Sequence, residues 1–137
     1  MRFLTAALIA ATLAVPATAD AKRLRGDARL DQLLAGRVAG KPVDCLRLPD
    51  IRSSEIIDGK AIVYRTGGNR LYVNYPDGAY TLDDDDVLVT RTSISQLCNL
   101  DIVNLYSRQP WFQNGSIGLN KFVPYELPKN APRGNGG

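Results

Sequence analysis

The sequence predicts a mostly β protein of the α+β class, with an N-terminal helix packed on a small antiparallel β-barrel or sandwich of about six strands. Two observations favour this fold class. Short runs of β-branched and aromatic residues recur along the chain, as they do in small antiparallel folds. Turn-forming residues rich in Gly, Asp and Asn separate these runs, for example at 58–59, 67–69 and 76–78.

The helix is predicted over residues 27–37. The three leucines of this segment and Val38 are spaced by three and four residues, which places them on one face of a helix. Asp27 suits the first turn, where the helix dipole favours an anion. Gly36 offers a left-handed end to the helix, and Pro42 prevents its continuation.

The extended segments begin after this helix. We predict six or seven short strands because apolar and β-branched residues gather between the turns. These strands are expected at 43–48, 51–57, 60–65, 71–75, 87–90, 101–106 and 121–125.

Residues 1–19 have the features of a cleavable signal peptide. Arg2 is followed by the uncharged run 3–15, by Pro16 and by small residues, a pattern that signal peptidase recognises. The apolar run is shorter than the roughly 20 residues that span a bilayer. We therefore expect cleavage before Asp20 and a periplasmic or secreted protein that does not span the membrane once mature.

The rest of the chain has the length of one domain. We expect a flexible leader over 20–26, a single disulfide-closed β-rich domain over 27–127 and a disordered tail over 128–137. The tail is rich in Pro, Gly and Asn, which disfavours a packed core.

Two cysteines, Cys45 and Cys98, are present. An exported chain meets an oxidising compartment, where two thiols can pair. The alternative is a redox-active pair, but redox motifs place their cysteines close together. We predict a structural disulfide, which closes a long loop and contributes about 4 kcal/mol through the unfolded state.

The sequence contains no histidine. This excludes catalysis by a Ser-His-Asp or Cys-His device and any imidazole metal ligand. The enzymatic alternative is a carboxylate-dependent hydrolase, which needs two acidic groups about 5–10 Å apart. Glu55 and Glu126 are the only glutamates. We assign no catalytic residue, no metal site and no cofactor.

Four consecutive aspartates form the strongest local charge pattern. Carboxylate oxygens are the ligands that Ca²⁺ prefers, but successive side chains of an extended segment point in opposite directions. We predict a solvated acidic loop, with weak divalent-cation binding as the alternative. The residues are Asp83, Asp84, Asp85 and Asp86.

Aromatic residues offer the candidate interaction surface. Trp111 and Phe112 lie in a predicted loop, where they would form either a contact surface or a lid folded back on the core. Tyr64 and Tyr72 lie in the predicted hairpin over 60–75. They would either form an exposed stripe that stacks on a ligand or pack across the strands.

The formal net charge is +3. Nucleic-acid surfaces gather basic side chains on one face, whereas here only residues 22–25 are densely basic. We therefore expect no nucleic-acid partner, a monomer, and an unknown envelope protein or polymer as the partner.

Several stretches together resemble a family of small exported bacterial proteins that is defined as a domain of unknown function. The resemblance covers roughly residues 43–126. The matching stretches are Cys45-Leu46-Arg47-Leu48, Ile51-Arg52-Ser53, Leu71-Tyr72-Val73-Asn74, Gln96-Leu97-Cys98-Asn99-Leu100-Asp101-Ile102, Gly118-Leu119 and Phe122-Val123-Pro124-Tyr125.

The resemblance implies the domain boundaries and the pairing of Cys45 with Cys98, and it implies no activity. Many members carry two further cysteines, at the positions that Ala79 and Ile117 hold here. If those cysteines pair, the Cβ atoms of Ala79 and Ile117 should lie within the span of a disulfide.

From these observations we expect an uncharacterised exported protein that works as a non-enzymatic binding or accessory module of the cell envelope. The alternative is the carboxylate-dependent hydrolase acting on envelope polymers.

Overall fold

One α-helix, ten strands and three short 3-10 helices lie within residues 18–130, the part of the chain that the computed structural model describes. The helix is α1 (Thr18–Leu34). The strands are β1 (Val38–Ala39), β2 (Cys45–Arg47), β3 (Ile51–Ile57), β4 (Ala61–Thr66), β5 (Leu71–Asn74), β6 (Val87–Thr90), β7 (Gln96–Cys98), β8 (Ile102–Ser107), β9 (Phe112–Gly118) and β10 (Phe122–Glu126).

The strands pair antiparallel in three sheets. Five strands form the central sheet in the order β1-β10-β5-β4-β3, β2 pairs with β7, and β6, β8 and β9 form the third sheet in the order β6-β8-β9. The mostly β, antiparallel class with one helix is confirmed. The described strands do not close into a barrel.

Strand β4 is buried on both of its faces. Ala61, Ile62, Val63 and Tyr64 are all buried, although side chains alternate between the two faces of a strand. Ile62 and Tyr64 belong to one hydrophobic cluster, and Ala61 and Val63 belong to another. The central sheet therefore has a core on each side.

Helix α1 covers one face of the central sheet. Leu30, Leu33 and Leu34 pack against the cluster on that face, so the apolar helix stripe predicted from these leucines is confirmed. That cluster is formed by Ile57, Ala61, Val63, Leu71 and Val73.

The two small sheets cover the opposite face. Phe122 of β10 is fully buried there and meets Tyr64 edge to face, with their ring centroids 5.7 Å apart. Such an arrangement suits the charge distribution of two aromatic rings. The small sheets contribute Leu46, Leu97, Val103, Leu105 and Ile117 to the same cluster.

The bounds of α1 differ from the predicted helix over 27–37. The helix includes residues 20–26, which we predicted as a flexible leader, because this segment is rich in the helix formers Ala, Lys, Arg and Leu. Asp27 is not its first residue, and its carboxylate instead pairs with the ammonium of Lys60 at 2.8 Å. The helix ends before Gly36, whose φ of +71° is left-handed.

Val38 also lies outside the helix. It belongs to the short strand β1 and is exposed, so its predicted place on the apolar helix face is wrong.

Two predicted segments lie outside the described residues. These are positions 1–17 of the predicted signal peptide and positions 131–137 of the predicted tail. Among residues 18–130, no helix has the length and apolar character needed to cross a membrane.

The predicted disulfide between Cys45 and Cys98 is confirmed. The two residues face each other in the pairing of β2 with β7, and their sulfur atoms are bonded at 2.08 Å. The bond joins the two strands of the smallest sheet, which otherwise has only three residue pairs.

Ala79 and Ile117 share one region of the core. Ile117 is a buried member of the cluster against which Ala79 packs, so the two residues do not lie on opposite sides of the domain. Their predicted disulfide spacing, which comes from the family resemblance, stays a prediction.

Gly26 allows α1 to lie close to the turn between β3 and β4. A Cβ atom at this position would collide with the backbone carbonyl oxygen of Asp58. We expect Gly26→Ala to lower the free energy of unfolding by about 1–3 kcal/mol, because the helix must shift away from the sheet. Urea unfolding of the purified protein measures this change.

Gly67→Ala is the matched control. Its Cβ would meet nothing within 4 Å, so its free energy of unfolding should stay within about 0.5 kcal/mol of the wild-type value. Equal stabilities of the two variants would contradict the close approach of the helix.

The hydroxyl of Tyr64 has no hydrogen-bond partner in the described part of the chain, although it is buried. Burial also raises the pKa of this phenol, since the charged form is poorly solvated. We expect Tyr64→Phe to raise the free energy of unfolding by about 1 kcal/mol, because a buried polar group without a partner is costly. A loss of stability of that size in the same urea experiment would show that the hydroxyl has a partner.

Candidate functional site

The candidate site is the face of the third sheet that points away from the core. Along β8, Val103 and Leu105 are buried, whereas the alternate residues Ile102, Asn104 and Tyr106 are not. Their cross-strand partners share their orientation. We call this surface the outer sheet face, formed by Val87 and Val89 of β6, Ile102, Asn104 and Tyr106 of β8, and Gln113 of β9.

Trp111 lies at one end of the outer sheet face, in the turn between β8 and β9. Its ring stacks on that of Tyr106, with a centroid separation of 4.9 Å and an interplanar angle of 22°. Trp111 is nevertheless 59% exposed, so part of the indole surface is available to a ligand. Exposed aromatic rings held by a neighbour are common anchors in interfaces.

A row of polar groups lies next to the stacked rings. The Tyr106 hydroxyl donates to Oε1 of Gln113 at 3.3 Å, and Nε2 of Gln113 donates to Oδ1 of Asn104 at 3.1 Å. These bonds fix the orientation of both amide groups. The outer sheet face thus combines aromatic and aliphatic area with oriented polar groups, a composition suited to binding.

For Trp111 and Phe112, the sequence left open a contact surface or a lid folded back on the core. Phe112 is 50% exposed and Trp111 is more exposed still. Neither side chain is a lid buried on the core, and their use as a contact surface stays a prediction. Residue 112 begins β9 and pairs with Ser107, so it is part of a strand rather than of the predicted loop.

The tyrosines of the predicted hairpin do not form an exposed stripe. Tyr64 is only 4% exposed, because the small sheets cover this face of β4, and its place in the predicted interaction surface is wrong. Tyr72 is half-buried against the same cluster. The two residues are paired across β4 and β5, as the cross-strand alternative predicts.

Sequence reasoning missed Tyr106, Asn104 and Gln113. The alternation of buried and exposed residues along 102–106 contains the signal for the first two. Gln113 carries no such signal, because it precedes Asn114-Gly115, which has the composition of a turn.

The four consecutive aspartates, Asp83–Asp86, differ in their burial and hydrogen bonding. Asp86 is buried, and both of its carboxylate oxygens accept hydrogen bonds from Nδ2 of Asn114, at 2.8 and 3.0 Å. Asp83 accepts from the backbone N–H of Asp85 at 3.0 Å. The run is therefore not a uniformly solvated loop.

Asp58 joins two members of this run. One carboxylate oxygen from each of Asp58, Asp83 and Asp84 lies within 4.8 Å of the others. Asp58 also accepts from the backbone N–H of Asp84 at 2.8 Å, which explains why these groups meet. The sequence does not indicate this contact, because Asp58 belongs to the distant turn between β3 and β4. Binding of a divalent cation by Asp83–Asp86 stays a prediction.

A charged cleft of about 530 Å³ lies between α1, β3 and β6. Its acidic side chains come from four residues, of which Glu55 is paired with two arginines. Arg29 donates to Glu55 from Nε at 2.6 Å and from Nη2 at 3.2 Å, and Arg65 donates from Nη2 at 2.9 Å. The charged lining comprises Arg25, Arg29, Arg108, Glu55, Asp58, Asp84 and Asp86.

These ion pairs lower the pKa of Glu55. The hydrogen bond from Arg29 is the main cause, and Arg65 adds to it, whereas partial burial acts in the opposite direction. A general acid needs a raised pKa in order to hold its proton near neutral pH. Glu55 is therefore unsuited to that role.

Glu55 and Glu126 do not form a catalytic pair. Strands β4 and β5 lie between the strands that carry them, so the two backbones are about 14 Å apart across the sheet. Paired carboxylates in glycosidases are about 5–10 Å apart. Glu126 is also ion-paired, to Arg70.

No protein-family model, curated protein or solved structure matches this chain. The resemblance to the family of small exported bacterial proteins accordingly stays a prediction. The function must be argued from the surface itself.

The ion pairs of Glu55 predict a pH-dependent contribution to stability. The pKa of Glu55 is lower in the folded state than in the unfolded chain. Its contribution to the free energy of unfolding is therefore complete above the pKa of the unfolded chain, about 4.3, and is lost as the pH falls through the folded pKa. We expect Glu55→Gln to lower the free energy of unfolding by about 1 kcal/mol at neutral pH, and the difference from wild type to be smaller at about pH 3.

Urea unfolding at the two pH values measures this effect. Glu126→Gln is the control, because its pair with Arg70 is more exposed and should contribute less. A Glu55→Gln difference that is the same at both pH values would contradict the electrostatic origin.

Proposed function

We propose that the protein is a non-enzymatic binding or accessory module of the cell envelope and that it acts through the outer sheet face. One observation carries this proposal: the single tryptophan of the chain is exposed and is stacked on Tyr106. A large aromatic side chain is costly to leave in water. Its exposure in a turn, where it stacks on a residue of β8, is therefore best explained by a partner.

The envelope location is supported by two features. The disulfide between Cys45 and Cys98 is a feature of oxidising compartments. The signal-peptide pattern at residues 1–19 supplies the route of export. We propose a periplasmic or secreted monomer, cleaved before Asp20, that is related to the family of small exported bacterial proteins it resembles.

The partner is an envelope protein or polymer that offers apolar area beside polar groups. The indole of Trp111 can stack on a flat apolar surface, and the amides of Asn104 and Gln113 can exchange hydrogen bonds with it. The hydrolase alternative is less well supported, because Glu55 and Glu126 are far apart and each is ion-paired.

Trp111→Ala tests the proposal. The mature protein is immobilised, and envelope extract from the native host is passed over it. We expect the variant to lose the captured partner, with binding at least about thirtyfold weaker, as for an aromatic residue at the centre of an interface. Protease treatment of the extract then distinguishes a protein partner from a polymer.

Tyr80→Ala is the matched control, because Tyr80 is an 84% exposed aromatic residue outside the outer sheet face. Its substitution should leave capture unchanged. Because Trp111 is the only tryptophan, its fluorescence should also shift to shorter wavelength when the purified partner covers it. Capture by Trp111→Ala that equals the wild type would exclude this surface.

A further inference from the structure

A second pocket lies next to the disulfide. It has a volume of about 360 Å³ and is bordered by the two-stranded sheet and by the ends of β3, β4 and β5. We call it the arginine pocket, lined by Cys45, Leu46, Arg47, Pro49, Asp50, Arg52, Thr66, Gly67, Arg70 and Tyr72. Three guanidinium groups and one carboxylate meet in this lining.

A β-bulge brings Arg52 to the pocket. Ile51 pairs with Thr66 and Ser53 pairs with Arg65, so Arg52 has no partner on β4. A bulge of this kind re-aims side chains and is common beside functional sites.

Arg52 also lacks an electrostatic partner. Within the part of the chain that the structure describes, it makes no ion pair and no side-chain hydrogen bond. Its guanidinium has five N–H donors in a planar fork that matches the geometry of an oxyanion.

The other two arginines are only partly neutralised. Arg47 reaches Asp50 at 3.9 Å, and both side chains are exposed. Arg70 pairs through Nε with Glu126, and its Nη1 donates to the Tyr72 hydroxyl at 3.3 Å. That hydroxyl keeps its own proton for donation to a ligand.

We propose that the arginine pocket binds a phosphate group, with Arg52 as the main contact and Arg47, Arg70 and Tyr72 as further donors. Bonds from guanidinium to phosphate are charge-assisted and can be bidentate. The volume of the pocket accommodates a phosphate together with part of the molecule that carries it. This site shares no residue with the outer sheet face and does not depend on the function proposed above.

Titration of the mature protein with inorganic phosphate, followed by NMR chemical shifts, tests the site. The buffer must contain no phosphate or sulfate. We expect saturable shifts at residues of the pocket, and binding about tenfold weaker in Arg52→Gln. Arg52→Lys keeps the positive charge without the planar fork, so its affinity for phosphate should lie between those of the wild type and Arg52→Gln.

Arg91→Gln is the control, since Arg91 is also exposed and lies outside the pocket. It removes the same charge and should leave phosphate binding unchanged. Wild-type protein that binds neither inorganic phosphate nor vesicles that contain phosphatidic acid, or equal weakening in Arg52→Gln and Arg91→Gln, would overturn the proposal.

A second arm identifies the source of the phosphate. Vesicles of phosphatidylcholine with and without phosphatidic acid are compared with inorganic phosphate as ligands. Arg52-dependent binding to the phosphatidic acid vesicles alone would assign a lipid headgroup, and Arg52-dependent binding to inorganic phosphate alone would assign the free ion. Either result supports phosphate binding in the arginine pocket. Binding that does not depend on Arg52, both with inorganic phosphate and with the vesicles, contradicts it.

Discussion

The double burial of strand β4 is the constraint on which the rest of the structure depends. Ala61, Ile62, Val63 and Tyr64 direct apolar side chains to both faces of the central sheet. Neither face can be left in water, because each carries several buried aliphatic residues. Helix α1 is needed on one face and the two small sheets on the other. The outer sheet face lies on one of these small sheets, and the arginine pocket borders the other.

The regular elements with an apolar pattern were predictable from sequence. The leucine stripe of α1 and the hairpin of β4 with β5 follow from local composition and spacing. The pairing of Cys45 with Cys98 follows from the presence of two cysteines in a chain with an export signal pattern. Strands β1 and β7 were missed because they have two and three residues. Strand β9 was missed because Ile117 is its only buried residue, and an edge strand of this kind has no alternation to detect.

The surfaces were less predictable than the core. The sequence left open whether Trp111 forms a contact surface or a lid on the core, because its stacking on Tyr106 depends on the pairing of β8 with β9. The exposure of Tyr64 could not be excluded from sequence, since its burial comes from sheets formed by distant segments. Asp58 meets Asp83 and Asp84 for the same reason. Long-range packing brings such groups together, and local sequence patterns do not indicate these contacts.

The bulge at Arg52 has a consequence for the behaviour of the protein in concentrated solution. Strand β3 is the last strand of the central sheet, and a straight seven-residue border with unpaired backbone groups would invite another chain to add to it. The β-bulge at Arg52 and the charge of its side chain interrupt this edge of β3. Self-assembly into intermolecular sheets is thereby discouraged by the same residue that supplies the pocket with its free guanidinium.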